Sequence, residues 1–459
     1  MKHKILLLLP IMAFLATLPI RLYATNECLS PNETVWFRYP AKSWSEQALH
    51  IGNGYMGASF YGEVEKERLD IAEKTFWAGG PHAAPDFNYG IIKGGKDKIA
   101  TIRQLIVERR FAEADSLSRI YMTGDYTNYG YFSMVGNLWI DFGKNKQPVQ
   151  NYLRGIDLST SRGFVEYTQG GVQFNREYFC SYPDKLMALH FTADKAGKIS
   201  FSLSHSLVYP PEEVIESENG LTFNGIIRKN GLSYTIRIKI VQQGGSVKVA
   251  HQRIVVEKAN EATVFYAVDT EYAPVYPLYK GENPQQNTGK VITKAITKGY
   301  ETVKNTHISD YQTLYNRVRF TLTGDTASEQ LPTNMRVKQL QKGFTDDASL
   351  KVLGFNLSRY LLISASRPGT LPSTLQGVWN TFEKAPWNGN FQSNINLQEM
   401  YWGCGPTHLP ECEEAYLEWI EGLVEPGRQT AREYYGTKGW VSHSTGNIWT
   451  SILRSGPFS

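Results

Sequence analysis

The sequence predicts a multi-domain chain, with a β-sandwich first, a helical linker next and a helical domain last. Two observations carry this. From about Thr34 to about Thr270, apolar and polar residues alternate over short runs that end in glycine-rich turns. From about residue 290 the apolar spacing changes to steps of three and four, the period of a helix packed along one side. With 41% hydrophobic and 20% charged residues over 459 positions, the chain can bury more than one core.

The N-terminus comes first in chain order. Lys2 and Lys4 precede an apolar run from Ile5 to Ile20, interrupted by Pro10 and Pro19, and Ala24 offers a small residue for cleavage. This pattern reads as a cleavable secretory signal over residues 1–24, with an uncleaved anchor as the alternative. The expected product is secreted or periplasmic. Cleavage removes Lys2, Lys4 and Arg21 and no acid, so the formal charge falls from +4 to +1. A nearly neutral chain without a basic stripe argues against nucleic acid as a partner, and nothing later is long enough to span a membrane. The four cysteines, Cys28, Cys180, Cys404 and Cys412, form no CxxC pair and suggest no metal site. Cys404 and Cys412 fit either a local disulfide or two buried thiols.

Residues 25–290 form the predicted sandwich. Tyr234, Ile236, Ile238 and Ile240 alternate with Thr235, Arg237 and Lys239, putting one apolar face on a core. Gly244-Gly245 then leads into Val247 and Val249, a hairpin signal, and Gly170-Gly171 joins Phe164–Tyr167 to Val172–Phe174 in the same way. One helical insertion is expected between Ile99 and Tyr121, with Ile102, Leu105 and Ile106 on a shared face. Residues 291–344 read as a helical linker, since Lys294 to Arg317 is helical in spacing and charge.

Residues 345–459 form the predicted helical domain. Leu350, Leu353, Leu357 and Leu361 give a helix stopped by Pro368-Gly369; Ala415, Trp419 and Leu423 give a second before Pro426-Gly427; a shorter one runs through Tyr435 to Gly436. The last stretch carries Trp440, Trp449 and Ile452 without a closing helix, so further chain is expected to cover it. Aromatic residues reach 13%, which suits sugar rings stacking on flat apolar faces and equally suits strand positions.

Several segments, in register, resemble glycoside hydrolase family 95, the family of 1,2-α-L-fucosidases and related α-L-galactosidases. They are Ala48–Ala58 with Trp44 before it, Leu69–Pro81, Gly136–Leu138, Tyr152–Leu158, Arg176–Phe179 with Ser181–Pro183, and His307–Tyr311 with Arg317-Val318. The helical part adds Leu375–Asn380, Pro386-Trp387 and Asn394-Ile395-Asn396. The resemblance spans about Trp36 to Trp449. It implies a β-sandwich followed by an (α/α)6 barrel, here incomplete, with sugar bound where barrel loops meet the sandwich, and fucosylated oligosaccharides or glycans as partners. It implies no cofactor and no metal.

The resemblance also assigns roles. Inverting hydrolysis needs an acid on the leaving oxygen and a base for water on the opposite face. In the resembled family two asparagines hold that water, and Asn394 and Asn396 match them. In an extended segment positions i and i+2 share a side, so both amides would meet one water. An amide oxygen accepts a hydrogen bond but cannot take the proton alone, so a carboxylate must supply basicity. Asn-Ile-Asn equally fits a turn or a helix N-cap. Trp379, Trp387 and Trp402 are candidate walls of the sugar pocket or core tryptophans, and Asn380 belongs to the same block. Glu399, Glu411 and Glu413 are candidate ligands of sugar hydroxyls or members of a solvated helix face. His443 matches a family histidine, and His50, Asn53 and Trp77 are candidates from the sandwich side.

Two departures stand out. Leu397-Gln398-Glu399-Met400 and Gly403-Cys404-Gly405 replace the usual family residues around Tyr401-Trp402, which leaves an α-L-galactoside as the alternative substrate. The family's acid and base-partner carboxylates lie well over a hundred residues past the asparagine pair, so this polypeptide alone is expected to be inactive or nearly so. The competing classes are a non-catalytic carbohydrate-binding protein and a defunct gene fragment.

Overall fold

The computed structural model describes residues 29–453. The predicted signal at 1–24, Cys28 and the last residues of the tail lie outside them. Among the described residues, two antiparallel sheets of nine and seven strands pack face to face. The larger runs from the edge strand Thr34–Phe37 to the edge strand Glu213–Ser217, and the smaller from Ser246–Ala250 to Leu49–Gly52. Their inner faces meet in one core that includes Val165, Leu189, Phe191, Leu203, Ile236 and Ile238. Each such side chain contributes about 1.5–3 kcal/mol by leaving water. No helix among the described residues is long and apolar enough to cross a membrane.

The two predicted double-glycine hairpins part company here. Arg162–Gln169 and Val172–Ser181 do pair, through Gly170 and Gly171 at φ 60° and 70°. That geometry is open to glycine and matches the twist of the strands it joins. Gly244-Gly245 does not make a hairpin. The strand Leu232–Gln243 is already bonded on both sides, to Gly220–Ile227 and Glu261–Thr270. With no free row of amides and carbonyls, the chain crosses to the other sheet, where Ser246–Ala250 pairs with Arg253–Ala259.

The insertion is two helices, Ile99–Val107 and Phe111–Tyr121. Ile102 and Leu105 are buried, whereas Ile106 turns outward. The linker helix begins earlier than predicted. Asn283 caps it by accepting from the amides of Gln285 (2.8 Å) and Gln286 (3.4 Å), with Pro284 in the first turn. That helix, Pro284–Lys298, lays Ile292 and Ala295 on Phe265 and Ala267 of the larger sheet. Gly299, at φ 74°, separates it from Tyr300–Tyr315.

The helix Ala348–Ala365 is capped by Asp347, which accepts from the Leu350 amide at 2.9 Å and receives a buried bidentate pair from Arg336 at 2.8 Å. It stops at Ala365, three residues before Pro368. Pro426-Gly427 does not end a helix. Both lie in the first turns of Val424–Thr430, where a proline's missing N–H costs nothing. Cys180, Cys404 and Cys412 are buried free thiols.

Sandwich and helices are joined along one buried seam. Trp379 donates its indole N–H to the Ile51 carbonyl at 2.8 Å and packs over the bare Cα positions of Gly52 and Gly57. Tyr360 donates to the His50 carbonyl (2.6 Å), Arg367 makes a bidentate pair with Asp310 (2.9 Å), and Lys74 donates to the carbonyls of Ala365 and Leu371. In the tail, Trp440 is exposed and Trp449 is covered. Trp449 is fully buried among Tyr272, Tyr279 and Gly80 of the sandwich side, and Tyr272 donates to the Ile448 carbonyl at 2.7 Å.

Candidate functional site

A small three-stranded sheet sits at the junction of the two parts: Phe391–Gln392, Thr445–Gly446 and Ile452–Leu453. It binds together segments far apart in sequence. Immediately after Gln392, Ser393 donates its backbone N–H to the Ser444 carbonyl (2.8 Å) and its hydroxyl to the His443 carbonyl (2.8 Å). Gln398 reaches back to the Ser393 carbonyl at 2.7 Å. The segment around Asn394 is thereby fastened beside the backbone of His443 and Ser444.

The Asn394–Asn396 segment is not extended. Asn394 and Ile395 form a turn, and Asn396 is the first residue of the helix Asn396–Tyr401. The same-side rule for extended chain therefore does not apply to the pair. Both amides are exposed, and among the described residues neither has a hydrogen-bond partner, so both are free to hold water. Leu397, Tyr401 and Cys404 bury one side of the helix. Asn396, Glu399 and Trp402, three residues apart, share the other.

Exposed tryptophans and core tryptophans separate cleanly. Trp387 is 74% exposed and Trp402 63% exposed, as walls of an open site would be. Trp387 and Asn388 both have positive φ, 49° and 62°, a strained pair that turns the loop at this point. Trp379 and Trp77 are buried structural residues instead. Asn380 bonds the backbone of Phe382, accepting at 3.0 Å and donating at 2.9 Å. Asn53 is spent in the same way: it accepts from the amides of Tyr55 and Met56 and donates to the Ser181 carbonyl at 2.9 Å. His50 faces Ser59 at 2.8 Å and the rings of Trp44 and Trp379.

The candidate carboxylates differ as sharply. Glu411 accepts both prongs of Arg317 at 2.8 Å, and those bonds hold its carboxyl below the usual glutamate range. It is therefore the wrong group for an acid at neutral pH. Glu399 is exposed and lies on the helix face beside Asn396. His443 shares a hydrogen bond of 2.8 Å with the Tyr435 hydroxyl, edge-on to Tyr434.

A cleft of about 540 Å3 opens between the sandwich and the loop around Trp387 and was not legible in the sequence. Tyr126, Asn128, Tyr129 and Tyr131 line it from the loop before Phe132, Arg228 and Lys229 from a hairpin turn, and Lys384 and Asn388 from the loop around Trp387. Tyr129 donates to the Gly446 carbonyl at 2.7 Å, so the cleft wall and the asparagine turn rest on the same short strand. Polar and aromatic groups converging on one concavity suit a hydroxylated, ring-shaped ligand. The cluster Tyr126, Tyr129 and Tyr131, on either side of Gly130, was the available signal. Among the described residues no group of three or more His, Cys, Asp or Glu could hold a metal ion.

Comparison with known proteins bears on this arrangement. The family model described as "Glycosyl hydrolase family 65, N-terminal domain" matches residues 35–274, and that described as "Glycosyl hydrolase family 95 catalytic domain" matches residues 299–456. "Alpha-L-fucosidase 2" of Arabidopsis thaliana is 32% identical over 443 residues, 90% of this chain and 51% of that protein. "Probable alpha-fucosidase A" of Aspergillus niger is 30% identical over 436 residues, 91% of this chain and 54% of that protein. The chain thus spans about half the length of the curated relatives it matches. Among solved structures, "Putative kojibiose phosphorylase from human microbiome" superposes with a TM-score of 0.56 at 11% identity, over 92% of this chain and 55% of that one, a likeness of fold alone.

Proposed function

The chain belongs to glycoside hydrolase family 95, and from that premise we propose that it forms the sugar-binding and water-positioning part of an inverting α-L-fucosidase-like glycosidase acting on terminal α-L-fucosyl linkages of glycans. The observation that carries the reading is the shared strand Thr445–Gly446, to which both the strand leading into the exposed Asn394–Asn396 turn and the cleft-lining Tyr129 are bonded. In this reading the two amides orient the attacking water, Trp387 and Trp402 stack on the sugar, and Glu399 and His443 bond its hydroxyls. The relatives named for fucose support fucose as the terminal sugar, with α-L-galactose the alternative. The N-terminal run 1–24 supports export of the product.

Hydrolysis also requires a proton on the leaving oxygen, a contribution of about a hundred- to ten-thousand-fold. Glu411 is tied to Arg317, and Glu73 is buried in the core of the seam. We therefore expect the 459-residue polypeptide to bind fucosylated glycan and to release fucose no faster than a heat-killed control. The test is fucose release from a 2′-fucosylated oligosaccharide by the purified chain. Release at an enzyme-like rate would defeat the missing-acid part and point to Glu399, while a chain that neither binds nor cleaves would defeat the reading itself.

A further inference from the structure

The cleft between the sandwich and the loop around Trp387 is cationic. Arg228 and Lys229 stand in the turn between the strands Gly220–Ile227 and Leu232–Gln243, and Lys384 approaches from the loop that leads into Trp387. Two ammonium groups flank one ring, with Lys229 Nζ 4.9 Å and Lys384 Nζ 5.7 Å from the centroid of Tyr131. Lys229 also donates to the Tyr131 hydroxyl. No aspartate or glutamate lines the cleft among the described residues. The carboxylate that pairs with this set is Glu383, 3.9 Å from Lys229, with both side chains more than half exposed. A pair so exposed is screened by water and leaves the site positive. Arg228 has no ion-pair partner among the described residues.

The mature chain is otherwise close to neutral, so three cations on one concavity are a local feature and not a reflection of overall charge. Concave walls focus such a field and concentrate anions. The hydroxyls of a neutral glycan can accept hydrogen bonds from the three cations, as from the amides of Asn128 and Asn388, but they leave the positive charge uncompensated. We propose that the cleft takes a glycan bearing an acidic group, a carboxylate or a sulfate ester. This rests on the reading of the cleft as the glycan site and names the class of glycan it accepts.

The experiment is calorimetric binding of the full chain, at low ionic strength, to three probes. They are a neutral fucosylated trisaccharide, the same trisaccharide with one sulfate ester, and the same with one sialic acid. An acidic probe is expected to bind about ten-fold more tightly than the neutral one, with the advantage shrinking several-fold at about 0.3 M salt. A preference for the sulfated probe alone identifies a sulfate ester, one for the sialylated probe alone a carboxylate, and both together charge as such. The triple substitution Arg228→Ala, Lys229→Ala, Lys384→Ala, at exposed positions and checked by its thermal midpoint, should bring the ratio to about one. Equal affinities in the unaltered chain, or a preference that survives the triple substitution, would overturn the proposal and leave the glycan site standing. Binding of none of the probes would overturn both.

Discussion

The seam and the asparagine turn are built from the same residue types and do opposite things with them. In the seam, Trp379, Asn380 and Asn53 have every polar atom bonded to backbone and their rings or stems enclosed. In and around the turn, Trp387, Trp402, Asn394 and Asn396 face solvent, and the two amides have no partner among the described residues. The difference shows that residue type alone does not mark a binding group here. What marks it is whether the backbone nearby has already claimed it. A rigid seam holds the loops in place, and the loops keep their side chains free for a ligand.

Truncating the seam should have the largest effect. Trp379 fills the space over Gly52 and Gly57, where an added Cβ at Gly57 would lie 2.7 Å from Val378. Trp379→Ala should therefore leave a cavity and an unpaired Ile51 carbonyl, at a cost of about 3–5 kcal/mol. Chemical denaturation should show a clearly lowered midpoint. A midpoint within error of the unaltered chain would mean that the seam does not hold the two parts together.

The seam should also give stability a pH dependence that the turn does not. Burial, reinforced by the Asp269 carboxylate, pushes Glu73 up from 4.5 to about 8, and burial pulls Lys74 down from 10.5 to about 7. Between pH 4.5 and 8 the folded chain keeps a proton on Glu73 that the unfolded chain releases, so stability falls as pH rises. Lys74 acts with the opposite sign, from pH 7 to 10.5, where the unfolded chain holds the extra proton. Between pH 5 and 7 the Glu73 contribution is the one that Glu73→Gln removes, and the slope should flatten by at most about 1.4 kcal/mol per pH unit. Glu67, buried and raised to about 7, adds a contribution of the same sign. The buried imidazoles of His50, His190, His205 and His307, pulled down to about 4, add contributions of the opposite sign below pH 6.5, so the readout is the difference in slope between the two proteins. Unchanged slopes in the two proteins would place Glu73 in contact with water.

The same contrast explains which parts of the molecule were legible in the sequence. Strands such as Leu232–Gln243 announced themselves because alternation is imposed by a half-buried pleat. The crossing at Gly244-Gly245 did not, because a hairpin and a crossover use the same turn residues, and the choice depends on which sheet edge is free. Family resemblance located the Asn394 turn, yet it ranked Trp379, Asn380 and Asn53 with Trp387, since a motif records identity and not which way a side chain faces. The tail was expected to need further chain, and Trp449 found its cover on the sandwich, some 370 residues earlier at Ala78 and Gly80. The cleft residues escaped for the same reason: Tyr131, Lys229 and Lys384 come from three distant segments and meet only in the fold.

The smallest expected change in stability belongs to the turn, and it gives the comparison its sharpest edge. Asn394→Ala and Asn396→Ala remove exposed amides that bond nothing among the described residues, and Trp387→Ala removes a ring that is three-quarters solvated. Each should shift the denaturation midpoint by no more than about 0.5 kcal/mol, the range of an uninvolved surface substitution. The ligand should register what the fold does not. Losing a stacked indole should weaken binding of a fucosylated oligosaccharide by about ten-fold or more, since an aromatic face of that size is a typical anchor. If Trp387→Ala instead destabilised the chain and left binding untouched, Trp387 would belong with Trp379 as a structural residue, and the site would have to be sought around Tyr126 and Tyr131 alone.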